Sequence, residues 1–302
     1  MKKLKVGIVG FGNIGKAIKK QISNDENFEL VAVFSKRKIK GCVEFEKIEE
    51  FQGKIDLMFL CVGSQSDLEQ VATRVLKNFN TIDCFDNHNK IKNYLINQQE
   101  IAEQGKKIAI CSVGWDPGLF SLIRGLMNGL NLNFKTFWGK GLSQGHTQAI
   151  KNLPNVIDAV QFTIPNKKVV RQTKQGKDLI DSYAFHLRQC FVVCEKQFCK
   201  TIKQQILTMP DYFVGYKTKV KFVSLKKLNK IKSFAHKGEV VSVGDEMEFK
   251  LRLSSNPEFT AKVMIAYARA LPTLKKLHKY GAFTILDIPI SYIIKKEKSQ
   301  LI

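Results

Sequence analysis

Gly10-Phe11-Gly12-Asn13-Ile14-Gly15 spells G-x-G-x-x-G, closing the apolar run Lys3–Gly10 and opening the helical pattern Ile14–Ser23. Few chains can turn that sharply from a buried strand into a helix, and the fingerprint gains its weight from this context. Gly10 permits the tight turn, Gly12 lets a pyrophosphate approach the backbone, and Gly15 lets helix and strand pack closely. The helix start adds free N–H groups and the positive end of its dipole, both suited to an anion. A bare strand-to-helix turn is the plainer alternative. The surrounding βαβ unit favours a dinucleotide site formed by Gly10, Phe11, Gly12, Asn13, Ile14 and Gly15.

The pattern continues through the first third of the chain. Leu30–Phe34, Asp56–Val62, Thr81–Phe85 and Lys107–Val113 read as further strands, with helical segments near Asp67–Asn78 and Ile91–Gln104. Apolar strands alternating with helices imply a doubly wound parallel sheet covered on both faces. Gly114–Gly118 then interrupts the alternation as a hinge. Beyond it Phe134–Trp138, Val156–Ile164, Gln189–Val193, Gly215–Val223, Val240–Val243 and Met247–Leu253 read as longer strands with fewer helices. They predict a second, α+β domain with a mixed or antiparallel sheet, for substrate binding and dimerisation. Pro257–Tyr280 returns to helix, with Pro272 dividing it. Phe283–Ile294 is apolar and of undefined type. The expected division is 1–117, 118–255, and a segment 256–302 that packs back on the first domain.

The end of the second strand bears on which dinucleotide binds. An NAD enzyme usually places an acid about 20 residues past the glycines, to hold the ribose 2′-OH. Here the residues are Ser35-Lys36-Arg37. A hydroxyl and two cations suit a 2′-phosphate through charge-assisted hydrogen bonds, so NADP is expected. Solvated surface charges are the plainer reading of such residues.

Composition excludes several classes. No apolar run reaches the roughly 18–20 residues of a membrane span. The first residues lack the features of a cleavable leader, so a cytoplasmic enzyme is expected. The seven cysteines form no CxxC pair, and Cys190, Cys194 and Cys199 have no histidine at ligand spacing. Reduced core thiols and no metal are expected. The net charge of +22 comes from dispersed lysines without a nucleic-acid motif, so neither nucleic acid nor membrane is an expected partner. The field can still draw in anionic ligands.

Two further segments carry polar chemistry at strand ends, where doubly wound sheets bind ligands. Asp86-Asn87-His88 follows the fourth strand and Trp115-Asp116-Pro117-Gly118 the fifth. Two carboxylates there can hold a substrate ammonium and activate water. Turn-forming aspartates are the other reading.

With these pieces in view, the sequence resembles meso-diaminopimelate dehydrogenase. The matching blocks are GFGNIG, FSKR (Phe34–Arg37), DNH (Asp86–His88), SVGWDPGLFS (Ser112–Ser121) and TFWGKGLSQGH (Thr136–His146). They continue with AVQFTIP (Ala159–Pro165), RQCFVV (Arg188–Val193), TMPDYFVGY (Thr208–Tyr216), SNPEFTA (Ser255–Ala261) and GAFTILDIP (Gly281–Pro289). The resemblance implies NADP-dependent, reversible oxidative deamination of meso-2,6-diaminopimelate at its D-centre, releasing ammonia, by a homodimer. It implies Asp86 and Asp116 at the reacting centre, with Trp115 and Trp138 beside them. Gln144, Gly145, Gln148, Thr163, Arg188, His236 and Asn256 are implied at the carboxylates and the distal amino group. Gly63, Ser64, Asp86, Asn87, His88, Val113, Gly114, Trp115, Asp116 and Pro117 are implied along the cofactor.

The chain departs from the family at three such places. Lys36 stands where Arg is usual, Gln148 where an Asp contacts the distal ammonium, and Ala235-His236-Lys237-Gly238 where Pro-His-Gly-Gly is usual. Other NADP-dependent D-amino-acid dehydrogenases, related imine reductases, and a non-catalytic NADP-binding protein stay open as alternatives.

Overall fold

The computed structural model describes residues 3–64, 67–233, 235–244 and 246–302. The chain divides into two compact units. The first comprises Met1–Leu122 with Pro257–Ile302, and the second Ile123–Asn256.

The first unit begins β1 (Leu4–Val9), α1 (Asn13–Ile22), β2 (Phe28–Ser35) and the short β3 (Val43–Glu44), followed by a 3-10 helix at Phe45–Phe51. It continues β4 (Leu57–Leu60), α2 (Leu68–Leu76), β5 (Asn80–Asp83), α3 (Ile91–Gly105), β6 (Ile108–Ile110) and α4 (Leu119–Gly129), the last of which runs on into the second unit. Alternation along β4 explains the layers. Leu57 and Phe59 join one core with Ile18 of α1, whereas Met58 and Leu60 join another with Val71 and Val75 of α2. Both faces are therefore covered, as an all-parallel sheet requires.

The second unit holds β7 (Phe134–Trp138), β8 (Gly141–Leu142), α5 (Gln144–Lys151), β9 (Asp158–Pro165), α6 (Lys167–Lys174) and β10 (His186–Val193). Then follow α7 (Cys199–Leu207), β11 (Lys217–Phe222), α8 (Leu225–Ile231), β12 (His236–Ser242) and β13 (Glu248–Leu253). The expected single sheet is two. One is four-stranded, β11-β10-β9-β8, and the other three-stranded, β13-β12-β7. Helices are also more frequent than the sequence pattern led us to expect. α6 and α8 are 8 and 7 residues long, too short for a periodic signal to stand out.

The chain then returns to the first unit through α9 (Asn256–Ala268), α10 (Leu271–Lys276) and β14 (Gly281–Phe283). Pro272 divides the helical stretch as expected, sitting in the first turn of α10 where its missing N–H is not needed. β14 pairs with β6 and completes a seven-stranded parallel sheet, β14-β6-β5-β4-β1-β2-β3. Val263, Met264, Leu271 and Leu274 pack in the same core as α1. Chain order reverses between β1 and β4, the switch point at which doubly wound sheets hold nucleotides. Among the described residues no helix is long and apolar enough to cross a membrane.

Candidate active site

In the first unit, the residues singled out in sequence lie at the carboxyl ends of β1, β2, β4, β5 and β6, adjacent strands of one sheet. Gly10 has φ +95°, and a Cβ there would sit 2.7 Å from the Cys61 carbonyl oxygen. A Cβ on Gly15 would come within 2.1 Å of the Gly10 carbonyl oxygen, so only glycine allows α1 to approach. Gly12 differs, with nothing within 4 Å of where its Cβ would lie. It is the N-cap of α1, so no side-chain cap occupies the helix start. That arrangement fits a pyrophosphate.

At the end of β2, Ser35 is buried and its Oγ accepts from the Arg37 N–H at 3.1 Å. Lys36 pairs with Asp67 at 2.9 Å, and Arg37 is exposed. The ion pair is half-exposed, a setting usually worth less than about 1 kcal/mol, so an incoming phosphate can displace it. Replacing Arg37 by Asp sets a carboxylate where a 2′-phosphate belongs. The expected result is an erased or reversed preference for NADP over NAD. Equal use of both cofactors by the unaltered chain would exclude the role given to Ser35, Lys36 and Arg37.

Gly63 and Ser64 follow β4, and the Asp86 N–H donates to Ser64 Oγ at 3.3 Å. Asp86 stays open to solvent, yet the protein around it is dense enough to raise its carboxyl pKa. The Ser64 hydroxyl and the His88 ring oppose that rise. Asn87 opens the turn into α3, where its carbonyl accepts from the Lys90 N–H at 3.0 Å.

The Val113–Pro117 loop is held from within. The Gly114 N–H donates to the Pro117 carbonyl at 2.9 Å, and the Gly118 N–H to Ser121 Oγ at 3.1 Å. A Cβ on Gly118 would meet the Gly114 oxygen at 1.9 Å. Trp115 is buried edge-on against Phe120, while Asp116 is half-buried.

Sequence reasoning missed the residue that joins the two carboxylate loops. Asp83, at the end of β5, is fully buried, and its Oδ1 accepts from the N–H groups of Phe85 and Ser112, each at 2.9 Å. Its Oδ2 accepts from the Tyr94 hydroxyl at 2.7 Å. Desolvation raises its pKa, and these donors oppose the rise. An aspartate inside an apolar strand was the available signal, because such a burial needs partners.

In the second unit, Arg188 and Thr163 face each other across β10 and β9, and Gly141 of β8 pairs with Thr163. Arg188 is buried. One Nη donates to Thr163 Oγ1 at 2.8 Å, and the guanidinium lies 4.2 Å from the Tyr216 ring centre. Its Nε is buried without a partner, and among the described residues no carboxylate pairs with it. Desolvation pulls its pKa below the usual arginine value. Gln161, one pair further along the same face, has a buried Oε1 without a partner.

His236 lies in a strand. It begins β12, is buried, and its ring fills the space where a side chain on Gly141 would go. The Trp138 ring stacks on His186 at 5.0 Å, and the Trp138 backbone N–H donates to His186 Nε2 at 2.8 Å. Gln144 and Gly145 form the first turn of α5. Gln148 bonds Asn152 at 2.8 Å on the exposed side of that helix. Asn256 closes the second unit and opens α9. Tyr216, Gln161 and Gly141 were not singled out in sequence, since each looks like an ordinary strand or loop residue alone.

A nucleotide cradle at a sheet switch point, carboxylates beside it, and a separate unit holding a buried unpaired cation define a two-unit enzyme of the Rossmann dinucleotide-binding class. Residues 114–257 match the diaminopimelic acid dehydrogenase C-terminal domain. Over its full length the chain is 39% identical to the meso-diaminopimelate D-dehydrogenase of Acetivibrio thermocellus, covering 97% of that protein. It is 40% identical to the one from Ureibacillus thermosphaericus, covering 98% of it. The structure superposes on the C. glutamicum DAP dehydrogenase in complex with DAP with a TM-score of 0.93 at 34% identity, covering 100% and 98% of the two chains. An engineered D-amino acid dehydrogenase bound to NADP+ gives 0.90 at 32%, with 99% and 98% covered. The chain belongs to the meso-diaminopimelate D-dehydrogenase family.

Proposed function

We propose that this chain catalyses the reversible NADP-dependent oxidative deamination of meso-2,6-diaminopimelate at its D-centre, giving L-2-amino-6-oxopimelate, ammonia and NADPH. Arg188 carries the reading. A buried guanidinium with a free Nε and no carboxylate of its own is a receptor for a substrate carboxylate. Thr163, His236, Gln144, Gly145, Gln148 and Asn256 complete recognition of the substrate's carboxylates and distal amino group, with Trp115 and Trp138 beside the reacting centre. The cofactor runs from Gly10–Gly15 to Val113–Pro117, with its phosphate on Ser35, Lys36 and Arg37.

Bound NADP+ supplies the acceptor for the hydride leaving the D-carbon. Asp86 and Asp116 hold and orient the D-ammonium, and one of them takes its proton before the hydride departs. The raised pKa of Asp86 suits a group that takes up a proton and passes it on. The other carboxylate, still ionised, then takes a proton from the water that adds to the resulting iminium, and the carboxyl that holds the first proton returns it to the nitrogen that leaves as ammonia. Ser64 and the bonded frame around Asp83 hold these two loops in place. Run backwards, the residues reduce the imine formed from ammonia. A cytoplasmic homodimer completes this reading, and the exposed Ile180, Tyr183 and Val214 of the second unit supply apolar surface for the partner copy.

The deciding experiment compares meso-, LL- and DD-diaminopimelate with NADP and NAD by absorbance. Turnover of the meso isomer with NADP is expected to exceed the rest. A further test uses Asp116→Asn, which is close to isosteric. Its turnover should fall at least about tenfold, or about 1.4 kcal/mol in barrier, while NADPH binding and folding persist. Full activity would rule out an essential charge at Asp116.

A further inference from the structure

The sequence reading treats all seven cysteines as inert core thiols, and for two of them the structure points elsewhere. Cys194 follows β10 and Cys199 is the first residue of α7. Their Sγ atoms lie 3.4 Å apart, unbonded to each other. Both are half-buried, and the intervening Glu195, Lys196 and Gln197 are exposed. We propose that Cys194 and Cys199 form a reversible dithiol site that exchanges with low-molecular-weight disulfides to close an intramolecular disulfide between the end of β10 and the start of α7.

The chemistry balances. The Cys199 thiolate attacks one sulfur of a small disulfide RSSR, breaking that bond and releasing RS⁻, which takes a proton to become RSH. Cys194 then loses its proton and attacks the Cys199 sulfur of the mixed disulfide, expelling the second RSH. Two protein thiols are oxidised and RSSR is reduced to two RSH.

Geometry assigns the order of events. Cys199 opens the nine-residue α7, and its Sγ also lies 3.7 Å from the Glu195 carbonyl oxygen, so it faces the turn that carries Cys194. The two sulfurs are within reach of one another in that turn. Burial and this contact push the Cys194 thiol up to about 11, so it serves as the resolving group. Closing the bond brings the two sulfurs from 3.4 Å to the roughly 2.05 Å of a disulfide. Four of the five remaining thiols compete poorly, and Cys42, half-buried as Cys199 is, serves as the internal comparison. Cys111 and Cys190 are buried, and burial raises Cys61 and Cys84 well above the usual thiol value.

The test uses the intact protein with glutathione disulfide, quenched by alkylation under denaturing conditions and digested with trypsin. Cleavage after Lys196 separates the two cysteines, so the bond joins the peptide 189–196 to the peptide 197–200. That linked species, with Cys190 alkylated, should form at least about tenfold faster than adducts at any other cysteine and disappear with dithiothreitol. Cys199→Ser should lose both the link and the adduct, and Cys194→Ser should stop at a glutathione adduct on Cys199. Cys194 and Cys199 both fully alkylated after oxidant would overturn the proposal, as would a link that survives in Cys194→Ser. The unaltered protein gives this answer without either variant, and the outcome is independent of the proposed dehydrogenase activity.

Discussion

Arg188→Met is expected to lower kcat/KM for meso-diaminopimelate by roughly 30- to 4,000-fold, because truncating one member of a buried charge pair costs about 2–5 kcal/mol. The carboxylate that Arg188 should meet would then be buried against a thioether and the Thr163 hydroxyl. NADPH affinity should hardly change, since the cofactor elements belong to the other unit. Activity toward D-amino acids with apolar side chains should hold or rise, because no cation would be stranded beside them. Stability supplies a second readout. In the substrate-free protein the guanidinium is desolvated, its Nε has no partner and its pKa is lowered. Removing it should therefore leave Tm unchanged or raise it, a pattern expected of a residue kept for binding rather than for folding. A uniform loss across all substrates, joined to a lower Tm, would make Arg188 a structural residue instead.

The first unit was largely legible in the sequence because its signals are local. Gly10–Gly15 sits between a strand and a helix, and every strand of the parallel sheet up to β6 except β3 appears as an apolar run. β3 escaped notice because it is two residues long. β14 shares only Phe283 with the stretch left undefined, Gly281 and Ala282 fell between the assigned segments, and only its pairing with β6 gives it a place in the sheet. The second unit was harder to read. Its strands alternate in character, as Lys217–Phe222 does with its exposed lysines, and nothing in that alternation tells one sheet from two.

The candidate site divides in the same way. Asp86 and Asp116 were legible as acids at strand ends, a position with a general meaning in this fold. Arg188, Thr163 and His236 came only from the family resemblance, because their significance depends on burial and cross-strand register. Arg188 faces Thr163, which faces Gly141, and the His236 ring fills the space above Gly141. That relay spans four separate strands. The Cys194–Cys199 contact was equally hidden, since a spacing of five residues becomes a contact here only through the 3-10 turn at Lys196–Phe198 between β10 and α7.

The same buried cation leads to a prediction about acid. His186 and His146 both belong to the second unit, and each is held near pKa 3, chiefly by burial and then by the charge on Arg188. His186 spends Nε2 accepting from the Trp138 N–H, and its ring is pressed against Trp138. His146 bonds Ser143 through Nδ1 at 2.8 Å, while Tyr212 and Phe213 pack edge-on against its ring. Above an ordinary imidazole pKa near 6.5, both states of the chain carry neutral rings and lose nothing. Below it the unfolded chain takes up protons that the folded chain refuses, so stability falls with pH until the folded rings titrate near 3. At about 1.4 kcal/mol per pH unit, His186 alone removes roughly 2 kcal/mol by pH 5 and on the order of 4–5 kcal/mol across the whole window. Urea unfolding at a series of pH values from 7.5 to 4.5 would measure the slope. In His186→Gln the side-chain oxygen can still accept from the Trp138 backbone N–H, so the fold should survive at pH 7.5 while the slope below pH 6.5 drops by the share of one imidazole, about 1.4 kcal/mol per pH unit. Arg188→Met should flatten it as well, because its charge helps keep both rings neutral. An unchanged slope in His186→Gln would mean that this ring takes up its proton in the folded protein, and the buried neutral imidazole would have to be abandoned.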